Sequence, residues 1–101
     1  MTSSTYLVVD QRVVDPQEWA AQFHTADRAR AAAGASQTLL LADPDDPGHV
    51  LAIVAFASPE QARAWRARSG MAQVMAGAGV DPESVVVRVL DELTTTAGAR
   101  S

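Results

Sequence analysis

The sequence predicts an α+β fold, a four-stranded antiparallel sheet with two helices on one face, and three observations predict it. First, one punctuation occurs twice: an apolar run closes, a capping residue and a proline follow, and an acid or amide comes just inside a helix. One copy is the run 6–14 with Asp15, Pro16, Gln17 and Glu18; the other is the run 50–57 with Ser58, Pro59, Glu60 and Gln61. Asp and Ser cap helices because a side-chain oxygen accepts an orphan backbone N–H, and proline suits the first helical position because its missing donor is not needed there. Glu18 and Gln61 stand three residues after their caps, the spacing of a capping box. Second, Asp43, Pro44, Asp45, Asp46, Pro47 and Gly48 form a dense set of turn formers between two apolar runs, which makes those runs a hairpin with a generous loop. Third, a β-branched run lies near the C-terminus, so both halves read strand, helix, strand.

Residues 6–13, rich in Val and alternating weakly around Asp10 and Arg12, form the first strand. Over 16–33, Trp19, Phe23, Ala26, Arg30 and Ala33 recur at helical spacing, and Gly34 supplies the stop. That helix is about 27 Å long at 1.5 Å per residue. Residues 36–42 and 50–56 are the hairpin strands. Residues 59–69 place Ala62, Trp65, Arg66 and Ser69 on one stripe, and Gly70 interrupts before Met71, Val74, Met75 and Ala78 define another, so the second helix is bent or broken. After Asp81, Pro82, Glu83 and Ser84, residues 85–93 are the last strand. The tail 94–101 is small and polar with no face to bury and reads as frayed, leaving one domain over 1–93.

Right-handed crossovers applied to the order βαββαβ give the strand order 4-1-3-2 and a ferredoxin-like sandwich. Both sheet faces are apolar: Leu7, Val9, Leu39, Leu41, Leu51 and Ile53 alternate with Val8, Leu40, Ala52 and Val54. An uncovered face of that kind exceeds what a soluble monomer usually exposes, so the expected cover is a second copy in a two-fold dimer.

Composition removes whole classes of chemistry. A chain of 101 residues, 48% hydrophobic, supports one core. It contains neither Cys nor Lys, so thiolate and Schiff-base catalysis, disulfides and cysteine metal sites are excluded. His24 and His49 are its only histidines and have no zinc-binding spacing, and Gly77 and Gly79 follow a helical stretch rather than a strand, so neither a metal nor a nucleotide cofactor is expected. Net charge is −4 with the eight arginines scattered, which argues against nucleic acid as a partner. No apolar stretch approaches the roughly 20 residues of a membrane span, and the first residues lack a signal-peptide pattern, so a cytoplasmic location is expected.

The run Val13, Val14, Asp15 with Trp19 and Phe23, Arg30 with Gly34, the turn 43–47, Phe56 with the segment 58–62, and Gly79 with Val80 together resemble the dimeric α/β-barrel superfamily, in particular its antibiotic-biosynthesis-monooxygenase-like branch. The resemblance covers nearly the whole chain, residues 6–93. It implies a homodimer whose sheets face one another and a pocket in each subunit between sheet and helices. Such proteins include cofactor-free quinone-forming oxygenases, polyketide cyclases, lactone isomerases, haem-degrading enzymes and proteins without known activity. Many carry histidines where this chain has Gln11 and Ala26, and the haem degraders use an Asn, which this chain lacks altogether. The expectation is a cofactor-independent enzyme of secondary metabolism acting on an aromatic or polyketide-like, hydrophobic small molecule. The alternative is a non-catalytic dimeric ligand-binding or accessory protein.

Candidate site residues follow from residue chemistry. His24, at the edge of the apolar face of the first helix, titrates closest to neutrality and is the acid/base candidate; His49 closes a turn and is read as solvated. Asp10 and Arg88 sit near the middles of neighbouring antiparallel strands, either as a structural ion pair or as a polar floor facing the helices that orients a substrate carbonyl or enolate. Trp19, Phe23 and Trp65 suit the walls of an aromatic pocket as well as they suit a core. Met71 and Met75 offer an adaptable wall or core filling, and Tyr6 offers a hydrogen bond at the pocket mouth or packing at a sheet edge.

Overall fold

The computed structural model describes residues 4–68 and 79–94. Along the chain come β1 (Thr5–Arg12), α1 (Pro16–His24), α2 (Asp27–Ala32), β2 (Gln37–Asp43), β3 (Asp46–Phe56), α3 (Pro59–Arg66), a 3₁₀ turn (Pro82–Ser84) and β4 (Val86–Asp91). The sheet order is β2-β3-β1-β4 with every neighbour antiparallel, the predicted order read from its other edge. No helix among the described residues is long and apolar enough to cross a membrane.

Both predicted caps form. Asp15 accepts from the backbone amides of Gln17 and Glu18, and Ser58 accepts from that of Gln61, whose own side chain reaches back to the amide of Ala57. These bonds satisfy donors that the first helical turn leaves without partners. The expected single helix over 16–33 is instead two, broken at Thr25 and Ala26. There the Thr25 hydroxyl bonds the Gln22 carbonyl at 2.6 Å, and the Thr25 and Ala26 amides bond three residues back, which closes α1 with a tight turn. Gly34 then ends α2 at φ +106°, where a side chain would be strained and would meet the Gln61 amide at 2.7 Å.

The hairpin loop is shorter than expected. Asp43 pairs with Asp46, leaving Pro44 and Asp45 at the tip, and the Asp43 carboxylate accepts from the Asp45 amide at 2.8 Å. This side-chain bond replaces a backbone one within the turn, so β3 begins several residues earlier than predicted and takes in His49.

Register sorts the two faces. Leu7 pairs with Val54 and Val9 with Ala52, and these pack under Trp19, Ala62 and Trp65 in the main core. Leu51 and Ile53 fall on the opposite face with Val8, Leu39 and Leu41, a different grouping from the one expected. Beyond β1, Val13 pairs with Val80, and the amides of Val14 and Asp81 bond Gly79 and Arg12 carbonyls, which anchors the return of the chain at this end of the sheet. The expected break at Gly70 and the stripe of Met71, Val74, Met75 and Ala78 lie outside the described residues, as do residues 95–101 of the tail.

Candidate functional site

A strand presents successive side chains to opposite faces, so the two sides of β1 are chemically distinct. Leu7, Val9 and Gln11 are buried under the helices; Tyr6, Val8, Asp10 and Arg12 lie on the open face.

The sheet–helix layer holds three of the expected aromatic residues. Trp19 is buried one turn into α1, and Phe23 stands tilted against it at 5.6 Å between ring centroids. Trp65 is buried near the end of α3, with the Arg68 guanidinium 4.8 Å above its ring. α3 starts beside the Thr5 end of β1, since Phe56 at the end of β3 pairs with Thr5 and α3 follows it at Pro59. Met71 and Met75 lie outside the described residues.

Gln11, noted in the sequence only as standing where many similar chains carry a histidine, is a buried polar side chain of this layer. It is 1% exposed, flanked on its strand by Val9 and Val13 and paired across with Val50, and its Oε1 has no hydrogen-bond partner among the described residues. Burying an amide oxygen unpaired costs about 1–3 kcal/mol. The signal was present: Gln11 shares its parity with Leu7 and Val9, so a strand buried by those residues buries it too. Arg30, also buried, differs in kind. Its guanidinium lies 4.1 Å over the Phe23 ring and donates through Nη2 to the Phe23 carbonyl at 2.8 Å and to Asp27 at 2.5 Å, while its buried Nε has no partner among the described residues. It clamps α2 to the end of α1.

The proposed acid/base residues do not converge on this layer. His24 is the last residue of α1, with its side chain 55% exposed and bonded through Nδ1 to Asp27 at 3.0 Å. Asp10 and Arg88 do share a face, but it is the open one rather than the face toward the helices, because the inward parity belongs to the odd residues of β1. They are diagonal neighbours, Asp10 opposite Val86 and Arg88 opposite Val8. Tyr6 is on that open face as well, its hydroxyl 3.5 Å from Glu92.

Asp10 bonds its other diagonal neighbour. Its Oδ1 is 2.6 Å from His49 Nε2, with both side chains about one-third exposed, 35% and 36%. His49 is therefore a strand residue with a carboxylate partner and not a solvated loop residue, a consequence of the short turn. Next to the pair, Arg12 grips Asp46 with two bonds of 2.8 and 2.9 Å, which hold the Asp46 carboxyl below its usual range. Among the described residues no three His, Cys, Asp or Glu side chains group as a metal site.

The strand order, the crossovers and the one-sided helices define a ferredoxin-like α+β protein. Solved structures of that class superpose on most of the chain. A Bordetella bronchiseptica protein named as a candidate antibiotic biosynthesis monooxygenase matches with a TM-score of 0.75 at 12% identity, over 92% of this chain and 100% of its own. SnoaB, a cofactor-independent oxygenase from Streptomyces nogalater, matches with a TM-score of 0.65 at 16% identity over 100% of both chains. NE2512 of Nitrosomonas europaea, a protein of unknown function, gives 0.66 at 19% identity over 97% of each. No protein-family model and no curated protein matches the sequence.

Proposed function

We propose that this chain is a small cofactor-independent enzyme acting on an aromatic or polyketide-like molecule held between the sheet and the helices. The observation that carries the reading is the pair of buried tryptophans, Trp19 from α1 and Trp65 from α3, within a mostly apolar layer that also holds Phe56 and Phe23. Flat indole faces suit a planar polycyclic ligand, and burial removes water from any anion formed on it. The fold shared with SnoaB supports oxygenation among the possible reactions. For a hydroxylated anthrone the step balances with dioxygen alone: the ring CH₂ becomes a carbonyl, one oxygen atom enters the product and the other leaves as water.

The placement of His24, Asp10 and Arg88 outside the layer favours a second reading, an accessory protein that binds such a molecule without transforming it. Oxygen uptake with a hydroxylated anthrone, the purified protein and no added cofactor separates the two. Uptake well above the spontaneous rate, one dioxygen per anthrone, supports the enzyme; binding without acceleration supports the accessory protein; neither result leaves the aromatic ligand without support.

The open face is assigned to a second copy of the chain. Leu39, Leu41, Val86 and Leu90 are exposed there, beside half-buried Val8, Leu51 and Ile53. A two-fold dimer buries such a patch against itself.

A further inference from the structure

The open face of the sheet carries two opposite charges that a single chain leaves apart. Arg88 is exposed on β4 with Val86 and Leu90 on either side of it on that face and Val8 directly across, and it makes no hydrogen bond or ion pair among the described residues. Asp10 is its diagonal neighbour on β1, yet the bond Asp10 makes goes the other way, from Oδ1 to His49, and Oδ2 has no donor among the described residues. Other charges of this face are engaged: Arg12 and Asp46 hold each other with two bonds, and the Tyr6 hydroxyl lies 3.5 Å from Glu92. In a single chain water solvates the Arg88 guanidinium. Under an apolar cover it would be desolvated and unpaired, which is far more costly than burial beside a carboxylate.

We propose that Arg88 of one copy pairs with the partner's Asp10, and that the same contact repeats in the opposite sense, so that two ion pairs fix how the open faces meet. The inference rests on the assignment of that face to a second copy and adds the contact that sets its register. Under a two-fold, residue i meets residue j and j meets i, so a face holding an unpaired cation and a carboxylate at different positions is complementary to itself. For two sheets meeting face to face the axis lies between them, and this pairing makes it pass midway between Asp10 and Arg88, across the line that joins them. The leucines and valines around the pair do not select that arrangement, because apolar contact is non-directional and repeats every second residue along each strand. The charges do: a slip of two residues sets Arg88 against an apolar side chain, so the pairs act by excluding wrong registers more than by adding stability. His49 holds the carboxylate through Oδ1 and leaves Oδ2 for the guanidinium.

Charge reversal with mixing tests the pairing, read by native mass spectrometry and light scattering on the full chain. In Arg88→Glu both members of the pair are acidic, and in Asp10→Arg both are basic, so each variant alone should dimerise with a Kd raised about tenfold or more. Mixed in equal amounts, the two should form a dimer with one chain of each, identified by its mass, because both contacts then join opposite charges. An ion pair closed within one chain cannot produce that recovery. The His49 bond lost in Asp10→Arg is missing from that variant's own dimer as well as from the mixed one, so it does not account for the difference. Mixing Arg88→Glu with Asp46→Arg changes the net charges equally but leaves one contact between two acids, and should recover less. Equal recovery in that control, no mixed dimer from the first pair, or single variants as dimeric as the unmodified protein each overturn the pairing and leave the covered face standing. If circular dichroism shows that a reversal unfolds the chain, Arg88→Gln and Asp10→Asn replace the reversals in a double-mutant cycle on Kd: coupling of the two losses supports the pairing, and strict additivity overturns it. A monomeric unmodified protein removes the cover itself and the inference with it.

Discussion

Arg12 and Asp46 meet through two parallel bonds on the open-face side of β1, and that geometry gives a pH signature. The bonds from Arg12 lower the Asp46 carboxyl from 3.8, against a smaller opposing effect of desolvation, with the charges of Arg12 and His49 adding to the lowering. A carboxyl lowered in the folded state contributes stability above its unfolded value and loses it as pH falls through the folded one. The stability difference between the unmodified protein and Asp46→Asn should therefore be present at neutral pH, shrink below about pH 4 and vanish in stronger acid. Both groups are exposed, so the difference should also shrink in high salt; a difference independent of pH would remove the ion pair as its cause. The Asp10 and His49 pair is better shielded. A double-mutant cycle with Asp10→Ala and His49→Ala should show a coupling of about 0.5–1 kcal/mol, and strict additivity in denaturant melts would count against the 2.6 Å contact.

At the scale of elements, the helix starts and the helix stop are the local determinants. Asp15→Ala and Ser58→Ala should each lower stability by about 0.5–2 kcal/mol, the usual loss for an N-cap whose side chain accepts backbone donors, as both do. Unchanged denaturation midpoints in both would show that the caps contribute nothing. Gly34→Ala should cost about 1–2 kcal/mol in the same assay, since φ +106° is unfavourable for a residue with a Cβ and the added atom meets Gln61. The division of α1 from α2 was not legible in the periodicity, because Trp19, Phe23, Ala26 and Arg30 keep helical spacing across the break. What ends α1 is the Thr25 hydroxyl on the Gln22 carbonyl and the Arg30 guanidinium on the Phe23 carbonyl, contacts that no hydrophobic pattern carries.

At the scale of the whole molecule, one sheet face is packed under the helices and the other presents leucines and valines to its surroundings. If a second copy covers that face, light scattering should give the mass of two chains, and Leu39→Asp with Leu41→Asp should give one chain that keeps its far-ultraviolet circular dichroism, since β2 is at the sheet edge and these side chains are outside the core. A monomer at all accessible concentrations in the unmodified protein would defeat the assignment. The sequence alone determined the count, order and antiparallel pairing of the strands, because caps, turn formers and crossover handedness act over a few residues or follow from connectivity. It determined the aromatic residues of the helix faces for the same reason. Tertiary structure alone decided that Asp10 and Arg88 face away from the helices and that His49 belongs to a strand beside Asp10. Those outcomes depend on register and parity, which the packing of Leu7 and Val9 against Val54, Ala52 and the helices sets collectively, and a slip of one residue would exchange every one of them between faces.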